Sequence, residues 1–205
     1  MAAQNGILIG LTGKQGTGKD TVGEILIRDY GFKRHAFADP VREMALAINP
    51  WIVERDEMGD QSAEVRLADV VAAFGWDQAK RLFPETRRLL QAIGTDAVRN
   101  IIGQNTWIDL AMSRVSEELV AGNRVIITDV RFRNEAEAIQ LIGGDVIKLI
   151  RDGVAGSNTT HVSETELDSI VPDVEIDNNH TVADLEREVA SVLVDYGIYP
   201  EEVSQ

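Results

Sequence analysis

Residues 13–21 read Gly-Lys-Gln-Gly-Thr-Gly-Lys-Asp-Thr, directly behind the apolar run Ile7-Leu8-Ile9-Gly10-Leu11. The spacing is that of a phosphate-binding loop, G-x-x-x-x-G-K, set between a strand and a helix. Gly13, Gly16 and Gly18 let the backbone curl so that successive N–H groups, from Lys14, Gln15 and Thr17 among others, point at one anion. The helix that follows adds its positive N-terminal end, and Lys19 adds a point charge for the outer phosphates. One position departs from the usual pattern. The residue after the lysine is ordinarily Ser or Thr, whose hydroxyl binds magnesium; here it is Asp20, followed by Thr21. A carboxylate beside a triphosphate is repelled unless a cation or donor lies between them. Asp20 can therefore ligate Mg2+ or hold Lys19, and Thr21 can supply the hydroxyl; both readings stand at this point. The alternative is a Gly-rich turn carrying an ordinary surface lysine, and the full spacing with strand before and helix after argues against it.

Outward from this loop, strands alternate with helices. Gly6–Leu11 reads as a buried parallel strand and Lys19–Tyr30 as a helix closed by Gly31. Phe32–Phe37 is a short strand, and Pro40 fits the first turn of a helix to about Ile48, broken by Asn49-Pro50. Residues 51–60 read as acidic and irregular. Ser62–Leu82 has helical apolar spacing, interrupted at Gly75-Trp76. Pro84 opens a helix closed by Gly94, Thr95 is placed to cap the next short one, and Thr106 to cap a longer one ending at Gly122. Val125–Asp129, Val146–Ile150 and Val174–Asp177 read as strands, Asn134–Ile142 and Val182–Val194 as helices. Continuous apolar strands alternating with helices predict a three-layer α/β fold, a parallel sheet covered by helices on both faces. Ligands of such sheets bind outside the carboxyl ends of the strands. The loop, Asp39-Pro40 and Asp129 all fall at such ends.

The length of 205 residues suits a single domain, 1–205. The absence of cysteine excludes disulfides and Cys-based metal sites. The N-terminus lacks the basic region of a signal peptide, and no stretch is long enough to span a membrane, so a cytoplasmic protein is expected. A formal charge of −14 argues against coating a nucleic-acid polymer, while a local cationic pocket for a small phosphate ligand stays compatible with it. Fifteen arginines stand against five lysines, and arginine grips phosphate with two parallel bonds. The isolated amphipathic helices allow a homodimer.

Several chemistries are excluded. No Asn is followed by Lys, so the N-K-x-D guanine reader is missing; there is no G-x-S-x-G elbow and no H-E-x-x-H. His35, His161 and His180 are scattered and read as local hydrogen-bonders. Asp177-Asn178-Asn179 lacks the Gly and Glu of a calcium loop. A small P-loop enzyme with an Arg-rich middle and a flexible late loop describes a kinase acting on a small phosphorylated acceptor. A phosphate monoester has a second pKa of about 6 and is mostly dianionic at neutral pH, so such an acceptor needs no strong general base. Catalysis is then positioning plus neutralisation of crowded negative charge.

Six ordered blocks carry a resemblance. They are Gly13–Thr21, Phe37-Ala38-Asp39-Pro40-Val41-Arg42, Arg87–Asp96 with Trp107 downstream, Thr128–Glu135, Thr160-His161-Val162-Ser163-Glu164, and Ile176-Asp177-Asn178-Asn179. In this order and spacing the chain resembles the deoxynucleoside monophosphate kinases of bacteriophages. The resemblance implies a P-loop fold of the nucleoside monophosphate kinase type, with a helical acceptor-binding region at about 40–107 and a lid at about 151–164. It implies ATP and Mg2+ at residues 13–21 and a deoxynucleoside 5′-monophosphate as acceptor. Asp39, Val41 and Arg42 would border the acceptor. Arg66 and Arg87 would clamp its phosphate. Gly94, Thr95 and the ring of Trp107 would line the sugar and base. Asp129, Arg131 and Glu135 would reach it from the core side, with Lys19, Arg131 and Arg151 as the catalytic cations.

Rival readings stand beside these. Asp129 after an apolar strand also fits a carboxylate for Mg2+ or its water. In support of the acceptor-side reading, Arg131 and Glu135, four apart, would share a helix face. Arg87 and Arg88 cannot share one, and the family pattern favours Arg87. Trp107 is equally consistent with plain core, and Arg42 with a solvated helix. Asn178-Asn179 would touch adenine or cap the helix before Val182. Two other functions compete: a small-molecule P-loop kinase of the dephospho-coenzyme-A-kinase kind, with Asp39 as proton acceptor for a hydroxyl, and a nucleotide-binding protein without turnover.

Overall fold

The computed structural model describes residues 6–55, 61–154 and 166–200. They divide into two compact units, one comprising the chain up to Phe37 and from Ala111 onward, the other Ala38–Leu110. Among the described residues no helix is long and apolar enough to cross a membrane. Of the expected lid only residues 151–154 are described; Thr160–Glu164 with His161 lies outside the described residues.

The first unit is built on a five-stranded sheet. With strands and helices numbered in chain order, these are β1 (Ile7–Thr12), β2 (Lys33–His35), β5 (Arg124–Ile127), β6 (Asp145–Ile150) and β7 (Val174–Asp177). The order is β2-β5-β1-β6-β7, and every neighbouring pair is parallel. The apolar runs follow from burial on both faces. On one face, Ile9 and Leu11 of β1 pack with Val22, Ile25 and Leu26 of α1 (Lys19–Tyr30) and with Leu185, Val189 and Leu193 of α7 (Val182–Asp195). On the other, Gly10 admits α6 (Arg133–Leu141): a Cβ there would sit 2.6 Å from the Ile139 Cδ1. The chain leaves β1 toward β2 on one side and leaves the adjacent β5 toward β6 on the other, so the carboxyl ends of these two strands form the switch point where such sheets open a ligand crevice. The phosphate loop leaves the sheet at that point.

The second unit holds α2 (Asp39–Ile48), an antiparallel pair of β3 (Trp51–Arg55) and β4 (Gln61–Arg66), α3 (Leu67–Leu82), α4 (Pro84–Gln91) and a wide helix over Ala92–Ile102. Helix α5 (Thr106–Val120) begins in this unit. Val41, Ala45, Ile52, Leu67, Phe83 and Trp107 anchor its core. As the sequence predicts, α3 is interrupted at Gly75, with φ 71° and ψ 168°.

Five local expectations are corrected. Trp51–Arg55 and Gln61–Arg66 pair as antiparallel strands, not as an irregular stretch running into a helix. Their period-2 signal is carried by few core residues, Ile52 and Val65, which pair with each other, and α3 starts only at Leu67, where the Asn49 Oδ1 accepts the Ala68 N–H at 2.9 Å. Gly94 and Thr95 neither end nor start a helix. Both lie inside the wide helix, where the Gly94 Cα faces Val41 and a Cβ would make ordinary contact with its nearer methyl at 3.5 Å. Thr106 is not the cap of α5: the Asn105 carbonyl accepts the Asp109 N–H at 2.8 Å, and the Thr106 hydroxyl donates back to the Gly103 carbonyl at 3.0 Å. Arg131 and Glu135 share no helix face, because α6 begins at Arg133; likewise β5 stops at Ile127, short of Asp129.

Candidate active site

The phosphate loop is curled by three positive-φ glycines, Gly13 (135°), Gly16 (85°) and Gly18 (101°). Gly18 is the left-handed residue that turns the chain into α1. The Thr17 hydroxyl donates to the Lys14 carbonyl at 2.9 Å, and the Thr17 N–H donates to the same oxygen at 3.3 Å. Lys19 reaches back across the loop, its Nζ donating to the carbonyls of Gly13 (2.6 Å) and Lys14 (2.7 Å). The N–H groups of Gln15, Gly16 and Gly18 take no partner among the described residues. The loop therefore presents amide hydrogens, an ammonium group and a helix N-terminus together, the arrangement that receives a polyphosphate. A cavity of about 230 Å3 adjoins it, lined among others by Lys14, Thr17, Lys148, Arg151 and Asp168.

Asp20 is exposed with no partner among the described residues, and Thr21 is half-buried beside it. Asp20 does not hold Lys19, whose ammonium bonds to the two carbonyls. Among the described residues no three His, Cys, Asp or Glu side chains gather as a metal site. One carboxylate, one hydroxyl and substrate phosphates are the hard oxygen set that Mg2+ takes with few protein ligands, so these residues fit that ion.

The exits of β1, β2 and β5 are bolted together. The Asp129 Oδ1 accepts the Phe37 N–H at 2.8 Å, the Thr128 N–H donates to the His35 carbonyl, and the Val130 N–H to the Leu11 carbonyl. Glu135 is 5% exposed, and its Oε2 accepts the N–H groups of Arg131 (2.8 Å) and Phe132 (3.1 Å). Phe132 at the N-cap of α6 has no side-chain acceptor, so Glu135 supplies the reciprocal half of a capping box. Glu135 thus holds the turn that carries Arg131 through its Oε2. The Arg131 and Arg151 side chains are exposed and bond to nothing among the described residues.

In the second unit, Asp39 and Arg42 pair at 3.2 Å within α2, and Val41 is buried. Arg66 donates to the Asn49 carbonyl at 2.9 Å and stacks 4.2 Å over the Trp51 ring, leaving part of its fork for other acceptors. Arg88 lies 3.9 Å from Glu85, whereas Arg87 is exposed without a partner among the described residues. Trp107 is 4% exposed, and its indole N–H donates to the Gly94 carbonyl at 2.8 Å; it is a core residue that ties α5 to the wide helix.

Of the two readings of Asn178-Asn179, the helix cap is corrected. Thr181, not Asn178 or Asn179, caps α7, in a capping box with Asp184. The Asn178 side chain instead donates to the Thr17 carbonyl of the phosphate loop at 2.9 Å. The nearest signal in the sequence was the position of Asn178 at a strand exit.

Fold and loop together define a P-loop nucleotide-binding α/β protein. A model of the deoxynucleotide monophosphate kinase family matches residues 55–189. A protein of Acanthamoeba polyphaga mimivirus, named as a candidate deoxynucleotide monophosphate kinase, is 34% identical over 195 residues, covering 90% of this chain and 95% of that protein. The deoxynucleotide monophosphate kinase of Enterobacteria phage T4 is 31% identical over 108 residues, 52% of this chain and 44% of the phage protein. The deoxynucleoside-5′-monophosphate kinase of Escherichia phage T5 is 26% identical over 181 residues, 65% of this chain and 72% of its own length. The chain belongs to the deoxynucleotide monophosphate kinase family, and it is an enzyme, a kinase.

Proposed function

We propose that this chain transfers the γ-phosphoryl group of ATP to a deoxynucleoside 5′-monophosphate, giving the diphosphate. The observation that carries this reading is the curled loop with its open N–H groups and ordered Lys19, in a member of this kinase family. Residues 13–21 hold the donor. Asp20 and Thr21 hold Mg2+, which when bound supplies charge neutralisation across the outer phosphates. Lys19 is released from the Gly13 and Lys14 carbonyls to meet the phosphates, an exchange of two neutral acceptors for a charged one. Arg131 and Arg151, both exposed and unpaired among the described residues, neutralise charge in the transition state. Arg87 takes the acceptor phosphate, with Arg66 beside it; Asp39, Val41, Arg42, Gly94 and Thr95 serve the acceptor nucleoside. Asp129, its Oδ1 engaged by the Phe37 N–H, positions the strand exits.

A coupled ADP-release assay with each deoxynucleoside monophosphate tests the reading: turnover that depends on at least one of them is expected, and its absence with all of them would remove the idea. Lys19→Ala should abolish most turnover while leaving the melting temperature nearly unchanged, since its two bonds go to loop carbonyls, one part-buried and one exposed. Asp39→Asn separates a hydroxyl acceptor from a phosphate acceptor. The former predicts a fall of about 10²–10⁴-fold through loss of the base, the latter a much smaller change.

A further inference from the structure

We propose that Asn178 is a positioning residue of the phosphate loop, its buried amide holding the Thr17–Gly18 peptide so that the Gly18 N–H stays aimed at the donor phosphates. Asn178 is 8% exposed, and its Nδ2 donates to the Thr17 carbonyl at 2.9 Å. In a planar trans peptide the C=O and the following N–H point in opposite directions. Fixing the Thr17 oxygen on the Asn178 side therefore turns the Gly18 N–H to the other side, where it has no partner among the described residues. Within the loop the Thr17 N–H and hydroxyl bond to the Lys14 carbonyl and the Gly18 carbonyl takes the Val22 N–H, but no loop group among the described residues donates to the Thr17 oxygen. Gly18 tolerates positive and negative φ alike, so the bond from Asn178 is what fixes the orientation of this oxygen.

Fit and anchoring support the tether. A Cβ on Gly18 would lie 2.3 Å from the Asn178 Nδ2, so the glycine is what lets the amide approach. Asn178 is itself held: its backbone N–H donates to the Ile150 carbonyl at 2.8 Å, at the end of β6. The next residue is held too, the Asn179 Oδ1 accepting the Asp152 N–H at 2.7 Å and its N–H donating to the Asp177 Oδ1 at 2.8 Å. The β7 exit thus clamps the phosphate loop to the chain leaving β6, which carries Arg151.

This inference rests on the donor-site reading above, and the test separates the two. MgATP affinity is measured by calorimetry without acceptor, together with the KM of both substrates, for the wild type, Asn178→Ala and Asn178→Leu. The leucine variant fills the same space but has no donor. Both variants should weaken MgATP about tenfold, the loss of one hydrogen bond's worth of ordering, with the monophosphate KM within about twofold. A packing role alone predicts leucine close to wild type and both KM values moving together. Wild-type protein that fails to bind MgATP would overturn the donor-site reading; wild-type binding with both variants within twofold of it would overturn this one. Amide exchange in the wild type gives a reading independent of variant folding: MgATP should slow exchange at Gly18, and unchanged exchange there would refute the proposal.

Discussion

Replacing Glu135 by alanine and, separately, by glutamine tests whether one buried carboxylate holds the Arg131 turn. Both backbone N–H groups it receives, from Arg131 and Phe132, go to the same oxygen, Oε2. Hydrogen bonds to a charged group contribute about 1.5–3 kcal/mol each. Alanine removes two and leaves the Phe132 N–H buried without that acceptor; the Arg131 N–H, only part-buried, can turn to water. Taking the lower value for each bond, the loss is about 3 kcal/mol. Glutamine can place its carbonyl oxygen where Oε2 lies, keeping both bonds and losing the charge, a cost of about 1 kcal/mol. At roughly 2–4 °C per kcal/mol for a chain of this size, alanine should lower the melting temperature by roughly 6–12 °C and glutamine by roughly 2–4 °C. Thermal unfolding followed by circular dichroism measures this. Turnover assayed well below both midpoints should also fall for alanine more than for glutamine, because Arg131 loses its support. Equal melting temperatures for alanine and wild type would refute the reasoning, as would a glutamine variant as damaged as the alanine one.

Arg87→Ala should raise the KM for the monophosphate, lower turnover, or both, with MgATP affinity unchanged; equal loss of MgATP binding would move Arg87 to the donor side. Asp145→Asn should raise stability at neutral pH. Burial, then the neighbouring Asp173 charge, pushes the Asp145 carboxyl above its ordinary value, against a smaller opposing bond from Tyr196. A raised pKa means the folded state holds the proton more tightly, so stability falls as pH rises through the folded value. The advantage of the asparagine variant should therefore appear above that value and vanish below pH 3.8, the ordinary value of the group; pH-dependent melts of both proteins check it. The same corner pushes the Tyr196 phenol up to about 12, through burial first and the Asp145 charge second. Its stabilising proton should be lost only as pH rises from 10 toward 12, which an ultraviolet phenolate titration follows.

What the sequence revealed and what it hid divide along a physical line. The phosphate loop was legible because its chemistry is local: three glycines, a lysine and flanking apolar runs within fifteen positions or so. The parallel sheet was legible because strands buried on both faces are apolar throughout, as Ile126 and Ile147 are. The β3–β4 pair was not, because, of its described side chains, Ile52 and Val65 reach the core while its acidic residues hide the alternation. The wide helix over Ala92–Ile102 was not, because Gly94 carries the usual stop signal yet lies inside the helix. Glu135 was found as a residue but not as a cap, since its partners are backbone groups and the N-cap is a phenylalanine. Asn178 acts on Thr17 from 161 positions away, a distance over which no sequence pattern speaks.

The division of the chain at Ala38 and Leu110 has a spectroscopic consequence. All three tryptophans, Trp51, Trp76 and Trp107, fall inside that interval, and all three tyrosines, Tyr30, Tyr196 and Tyr199, fall outside it. Indole emission therefore watches one half of the molecule, and phenol absorbance the other. Denaturant titrations recorded by both signals on the same sample ask whether the halves melt as one, and overlapping curves would mean a single cooperative transition. No label or engineered probe is needed, because the distribution of aromatic residues has already marked the two parts with different colours.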